Sequence, residues 1–263
     1  MKVHNYMAIL RNLRNIIEAG VDQEHLDKVC MAIADPEAVK RSRQLPFRFL
    51  SAYKNLPASA GKKVMDALEK AVATACENVP KLPGRTVIAV DVSGSMSSNV
   101  SAKSEIRCCE IGMMLGIIAN RICEDDIFYV FNGAIEQKQI PSAGILYSTV
   151  HEAMAYGGTD MNLPFRKMIE DKIHCDRVIV ISDNECNGGW VGNTVQSIAD
   201  RYRKESGNNI WVHAIDLMGY GTQQFAGPKT NIIAGWSEKV FDFILLAEQG
   251  EGNLEKTIAE YTW

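Results

Sequence analysis

No stretch of this sequence offers the roughly 20 consecutive apolar residues that a membrane-spanning helix needs. Its opening, MKVHNYMAILRNLRN, also lacks the apolar core of a secretory signal. The seven cysteines are odd in number and scattered, and Cys108 and Cys109 are adjacent. No CxxC spacing occurs, so neither a zinc knuckle nor a disulfide framework is indicated. These absences predict a reducing, cytoplasmic protein in which most cysteines serve as small core residues. There is no glycine-rich loop ending in Lys-Ser or Lys-Thr, so phosphate-loop nucleotide chemistry is not indicated. A net charge of −4 provides no general attraction to nucleic acid.

What is present falls into two segments. Residues 1–85 carry 14 Lys/Arg against 9 Asp/Glu, whereas residues 86–263 carry 14 against 23, so the sign of the charge reverses. The reversal coincides with NVPKLPGR (78–85), whose prolines and glycine read as a linker. A boundary near residue 83 therefore divides the chain into domains 1–83 and 84–263. The first reads as helical throughout. Tyr6, Leu10, Leu13 and Ile17 share one face, and Asp22 can cap a helix carrying Leu26, Val29 and Ile33. Asp35-Pro36-Glu37 has the composition of a helix start, and a long helix from about Ser59 would bury Val64, Leu68, Val72 and Cys76. Short helices without intervening strand signals suggest stacked helical repeats.

After residue 85 strands alternate with helices. RTVIAV (85–90), DIFYVF (126–131), DRVIVIS (176–182) and NIWVHAID (209–216) read as strands. Helices are expected from Ser104, near ILYSTVHEAM, over MNLPFRKMIEDKI and over VQSIADRYRKE. Apolar strands that do not alternate, separated by amphipathic helices, predict a doubly wound, mostly parallel α/β sheet covered on both faces. Such sheets bind ligands beyond the carboxyl ends of their strands. Asp91 and Asp183 both follow such ends.

In DVSGSM the first strand runs into Asp91, Ser93 and Ser95, alternate residues that would point the same way on extended backbone. A third loop, YGGTDMNLPF (156–165), offers Thr159 after two glycines that allow close backbone approach. Two carboxylates and three hydroxyls suit magnesium, or another divalent cation such as manganese or calcium. Beside Thr159, Asp160 reads as the cap of the following helix. Glu185 reads as a loop hydrogen-bonder, His174 and Cys175 as a surface turn, and His151 and His213 as structural.

DVSGSM, GGTD and SDNE (182–185), in that order, resemble the von Willebrand factor A domain with its metal-ion-dependent adhesion site. The resemblance implies that Ser93, Ser95 and Thr159 touch the metal while Asp91 and Asp183 bind it directly or through water. Together with LRNLRNI near the start and LPFRFLSAYK (45–54), the chain resembles the Ro ribonucleoprotein family with its TROVE module, from the last helical repeats through the A domain. That family binds small noncoding and misfolded RNAs through a ring of helical repeats, of which only the final helices would be present here. The basic run KRSRQLPFRF places Lys40, Arg41, Arg43 and Arg48 close together. It is either an RNA phosphate patch or a solvated helix face.

Three functions follow as expectations. The first is a non-catalytic, RNA-associated scaffold with a divalent-metal adhesion site. The second is a protein-binding module that recognises an acidic side chain of a protein partner through the metal, without RNA. The third is a magnesium-dependent phosphate hydrolase, disfavoured because no positioned nucleophile is evident.

Overall fold

The computed structural model describes residues 3–101, 104–184, 195–219, 224–237 and 239–250. The chain forms two compact units, residues 1–79 with 141–152, and residues 80–140 with 153–263.

The first unit begins with five helices: α1 (Val3–Glu18), α2 (Gln23–Ala34), α3 (Pro36–Ser42), α4 (Pro46–Lys54) and α5 (Lys62–Cys76). Tyr6, Leu10 and Leu13 are buried along α1, and the Tyr6 hydroxyl donates to the Ile33 carbonyl of α2 at 2.8 Å. Both expected caps form. Asp22 accepts from the His25 N–H, and Asp35 accepts from the Glu37 N–H with Pro36 in the first turn. The last helix starts at Lys62 rather than Ser59. It buries Val64, Leu68, Val72 and Cys76 and packs against α2, α3 and α4.

The second unit is a six-stranded sheet of β1 (Leu82–Asp91), β2 (Cys123–Phe131), β3 (Ile135–Lys138), β4 (Arg177–Ser182), β5 (Trp211–Asp216) and β6 (Thr230–Ala234). The strand order is β3-β2-β1-β4-β5-β6, parallel except for the antiparallel edge pair β2–β3. Leaving β1, the chain first adds β2 on one side and later β4 on the other. The crevice between the carboxyl ends of β1 and β4 is therefore the topological switch point. Val87 through Val90 are fully buried, as expected of a central strand covered on both faces. The edge strands β3 and β6 were not apparent in the sequence, because each is short and partly exposed and so lacks the continuous apolar run of the inner strands.

One face of the sheet buries Val87, Ala89, Val178 and Val180 with Phe165 and Met168 of α8 (Leu163–Glu170) and Tyr202 of α9 (Val195–Ser206). The other face receives α6 (Cys108–Ile122), which is buried almost throughout. Gly116 makes this packing possible. A Cβ there would stand 2.6 Å from Val90 Cγ2 and 2.9 Å from Phe128 Cζ. Gly116→Ala should cost about 1 kcal/mol, because overpacking outweighs the helix propensity gained. A thermal melt showing a gain would refute that fit.

A further helix, α10 (Lys239–Glu248), reaches β4 and β5 through its last residue. Glu248 accepts from Arg177 Nε at 2.6 Å and Nη2 at 2.7 Å, and from His213 Nε2 at 2.9 Å. Arg177 Nη1 also donates to the Pro83 carbonyl and to Thr86 Oγ1. His213, expected to be structural, is fully buried; Asn231 Nδ2 lies 3.1 Å from its Nδ1, which fixes the Nε2–H tautomer.

The two compact units do not divide at a single point in the chain. Residues 141–152 lie within the domain drawn as 84–263 but belong to the first unit. They carry α7 (Ile145–His151), which has no side-chain cap of its own. The Glu69 carboxylate of α5 accepts instead from the Leu146 and Tyr147 N–H groups, at 3.1 and 2.9 Å. An acid at a helix N-terminus satisfies orphan donors and the helix dipole together. Helical periodicity locates such a helix, but does not say which partner supplies its cap. Among the described residues, no helix is long and apolar enough to cross a membrane.

Candidate metal centre

β1 ends at Asp91, whose carboxylate is fully buried. Its Oδ1 accepts from the Ser93 N–H at 2.8 Å, turning the chain immediately after the strand. Its Oδ2 accepts from the Ser182 hydroxyl at 2.6 Å, which brings the end of β4 to the same point. Asp183 follows Ser182 and is 2% exposed. Asn184, in the left-handed region at φ +64°, donates its N–H back to Ser182 Oγ at 3.0 Å and bends the chain away. Ser182 thus locks both acidic strand ends with one hydroxyl.

The serines meet by a different route from the one their spacing suggests. The backbone is not extended beyond Ser93; Gly94–Ser97 forms a single 3-10 turn. Ser93 Oγ and Ser95 Oγ nevertheless lie 3.3 Å apart. The turn brings them together where an alternating strand was expected to.

Thr159 is delivered by backbone. The Val92 carbonyl accepts from the Tyr156 N–H at 2.9 Å, and the Gly94 N–H donates to the Gly157 carbonyl at 3.0 Å. A Cβ on Gly94 would stand 3.1 Å from that carbonyl oxygen, so a side chain there would push the two loops apart. Gly157 adopts φ +75°, which a glycine tolerates and most residues do not. Asn132, just past β2, completes the frame. Its amide donates to the Tyr156 carbonyl at 3.0 Å, and its backbone carbonyl accepts from the Asp160 N–H at 2.9 Å. Thr159 is 6% exposed, and its hydroxyl makes no hydrogen bond to the described residues.

Asp160 is engaged locally, accepting from the Asn162 N–H and amide and pairing with Arg166 at 3.2 Å. It serves the turn leading into α8 but does not cap it as expected: the N-cap position is held by Asn162, and no side chain caps the helix. His174 is exposed and the adjoining Cys175 is buried, with its sulfur 3.8 Å from the Tyr202 hydroxyl. His151 contacts the Tyr147 carbonyl of its own helix. Glu185 lies outside the described residues. Asn132 and the role of Ser182 were missed in the sequence; Ser182 opens the SDNE stretch and ends β4, while for Asn132 the only signal is its place just past β2.

Burial pushes the Asp91 carboxyl up to about 6, against the hydrogen bonds from Ser182 and Ser93 that favour its charged form; the nearby Asp183 adds to the rise. No lysine or arginine is among the groups acting on it. Among the described residues, no three His, Cys, Asp or Glu side chains cluster as metal ligands. The candidate donor set is two carboxylates and three hydroxyls, a hard-oxygen set suited to a small divalent cation with vacant or water-filled positions.

The four basic residues of the run are all exposed. Lys40 pairs with Glu77 at 3.1 Å, and Arg41 Nε donates to the Glu37 carbonyl of its own helix. Arg43 ends α3 in the left-handed region. Arg48 faces α1, beside Arg11 and Arg14.

The family model for the Ro60 vWA domain matches residues 85–218, half of the chain. The chain belongs to the Ro family. A model for the TROVE domain matches residues 3–60 of the same chain. The RNA-binding protein RO60 of Deinococcus radiodurans is 29% identical over 225 residues, covering 79% of this chain and 42% of the relative. RO60 of Caenorhabditis elegans is 29% identical over 216 residues, covering 76% of this chain and 33% of the relative. The crystal structure of the Deinococcus radiodurans Ro protein superposes with a TM-score of 0.67 at 26% identity, covering 88% of this chain and 50% of that one. This Ro-family chain therefore spans half or less of each of these relatives, which bears on how far their binding properties extend to it.

Proposed function

We propose that this chain is a Ro-like, RNA-associated binding and scaffolding protein carrying a non-catalytic, divalent-cation-dependent adhesion site. The observation that carries the adhesion site is Asp91, a fully buried carboxylate held only by neutral donors at the switch point of the sheet. A buried acid without a cationic side chain beside it is disfavoured in its charged form unless a cation is supplied. Ser93, Ser95 and Thr159 would hold magnesium or a similar ion, with Asp91 and Asp183 directly or through water. A bound cation would supply an attraction for an acidic side chain of a protein partner. The RNA reading is supported by the relatives, which are named RNA-binding proteins, and by the exposed arginines of the helical unit.

Calorimetric titration with magnesium should give a saturable signal that weakens in Thr159→Ala and in Ser95→Ala, each of which loses one neutral donor. Equal heats from all three proteins would remove the site. Acetate should compete only at millimolar concentration or above, about what a single carboxylate contact can reach against the entropy of association. RNA affinity should be unchanged, within about twofold, when magnesium is chelated, since the acidic strand ends act on phosphates only within about 10 Å. Absence of RNA binding by the wild type at low salt would leave the acidic-partner reading alone.

A further inference from the structure

We propose that the cleft between α1 and α4 is a phosphate-binding seat for a single-stranded RNA segment, an inference that rests on the RNA reading above. The cleft encloses about 240 Å³ and is lined by Arg11 and Arg14 from α1 and by Arg48 from α4. Asn15, Ser51 and Asn55 add neutral hydrogen-bonding groups, and no Asp or Glu lines it. Arg14 has an ion pair with Glu18 at 2.8 Å, but both side chains are about half exposed, so the pair neutralises little. Arg11 and Arg48 have no acidic partner among the described residues.

Arg11 and Arg14 are three residues apart on one helix, and Arg48 faces them from the next. Like charges at that spacing repel, so bringing them together has a cost in the free unit. A polyanion recovers that cost. Guanidinium groups bind phosphate through paired, charge-assisted hydrogen bonds, which lysines do not provide. Buried Leu10 and Leu13 line the cleft beneath the charges and give it an apolar base. In the basic run along α3, Lys40 pairs with Glu77 and Arg41 Nε donates to the Glu37 carbonyl, so that run serves as the comparison surface in the test.

The test uses the full chain and a short, unstructured, fluorescently labelled RNA oligonucleotide, with anisotropy read across a salt series. Arg11→Gln with Arg48→Gln should weaken binding by about tenfold or more and lower the salt slope by roughly 0.7 per lost contact. Lys40→Gln with Arg41→Gln should stay within about twofold of wild type. Arg11→Lys with Arg48→Lys should keep most of the salt slope while losing affinity, since charge remains and the fork is lost. These side chains are exposed, and unchanged melting temperatures establish that the variants fold. The single variant Arg48→Gln repeats the test should the pair prove unstable. RNA binding that is indifferent to Arg11 and Arg48 overturns this seat and leaves the RNA reading standing. No RNA binding by wild type overturns both. Displacement of the RNA by a polyglutamate peptide of equal charge would reassign the cleft to an acidic protein segment.

Discussion

In the presence of a chelator at about pH 7.5, Asp91→Asn is expected to melt at a higher temperature than wild type, and it should bind no magnesium. Burial raises the Asp91 carboxyl to about 6 in the folded protein, against about 3.9 in an unfolded chain. The stability associated with its proton is therefore fully present below about pH 4 and is lost as pH rises through about 6. Above that, the folded protein carries an ionised, buried carboxylate at a penalty of about 3 kcal/mol. Asparagine keeps the acceptor for the Ser93 N–H but not that for the Ser182 hydroxyl, a loss of about 1 kcal/mol. The net gain of about 1–2 kcal/mol corresponds to a rise of several degrees. Wild type should be stabilised by added magnesium through mass action while Asp91→Asn should not, so the order of the two melting temperatures inverts. Acidifying the chelated proteins from about pH 7.5 to about pH 5 should likewise close the gap between them. A variant that melts below wild type in chelator, at every pH, would show that Asp91 contributes to the fold rather than awaiting a cation.

Glu248→Ala should produce the largest loss of stability, about 3–5 kcal/mol, because it strands a buried guanidinium. The Arg177 side chain is 4% exposed, and two of its three nitrogens donate to this one carboxylate. Thr86 and the Pro83 carbonyl retain only Nη1. The expected drop in melting temperature is roughly 10 °C. Arg177→Met with Glu248→Leu should recover much of it, since an apolar pair of similar volume removes both buried charges together. Should the double variant be as unstable as the single one, the network itself, rather than a stranded charge, holds α10. Acid should loosen the same contact. Burial lowers the His213 pKa, outweighing the pull of Glu248 in the other direction. Burial raises that of Glu248, but the hydrogen bonds from His213 and Arg177 outweigh it, and the net change is downward. Both groups thus contribute stability that is present above their unfolded values and is lost as pH falls through their folded ones. Wild type should lose stability below about pH 6.5 from His213 first. His213→Gln should flatten that limb of the profile.

The sequence alone determined the alternation of buried strands and amphipathic helices. Val87 to Val90, a short β-branched-rich apolar run bounded by turn residues, reads as a strand covered on both faces, and it is one. The sequence also placed Asp91 and Asp183 beyond the ends of inner strands, where parallel sheets gather their ligands. The manner of meeting was decided by tertiary contacts. Ser93 and Ser95 come together through a 3-10 turn rather than an extended strand, and Thr159 arrives through Val92, Gly94 and Asn132. The other long-range choices have the same character. Glu69 claims α7 across 77 residues, Glu248 claims Arg177 across 71, and Arg48 lines one cleft with Arg11 and Arg14. Periodicity reports which face of an element is buried, because that is a local property of spacing and hydrophobicity. It carries nothing about which distant side chain will meet that face, because capping, ion pairing and hydrogen bonding are satisfied only after the chain has folded back on itself.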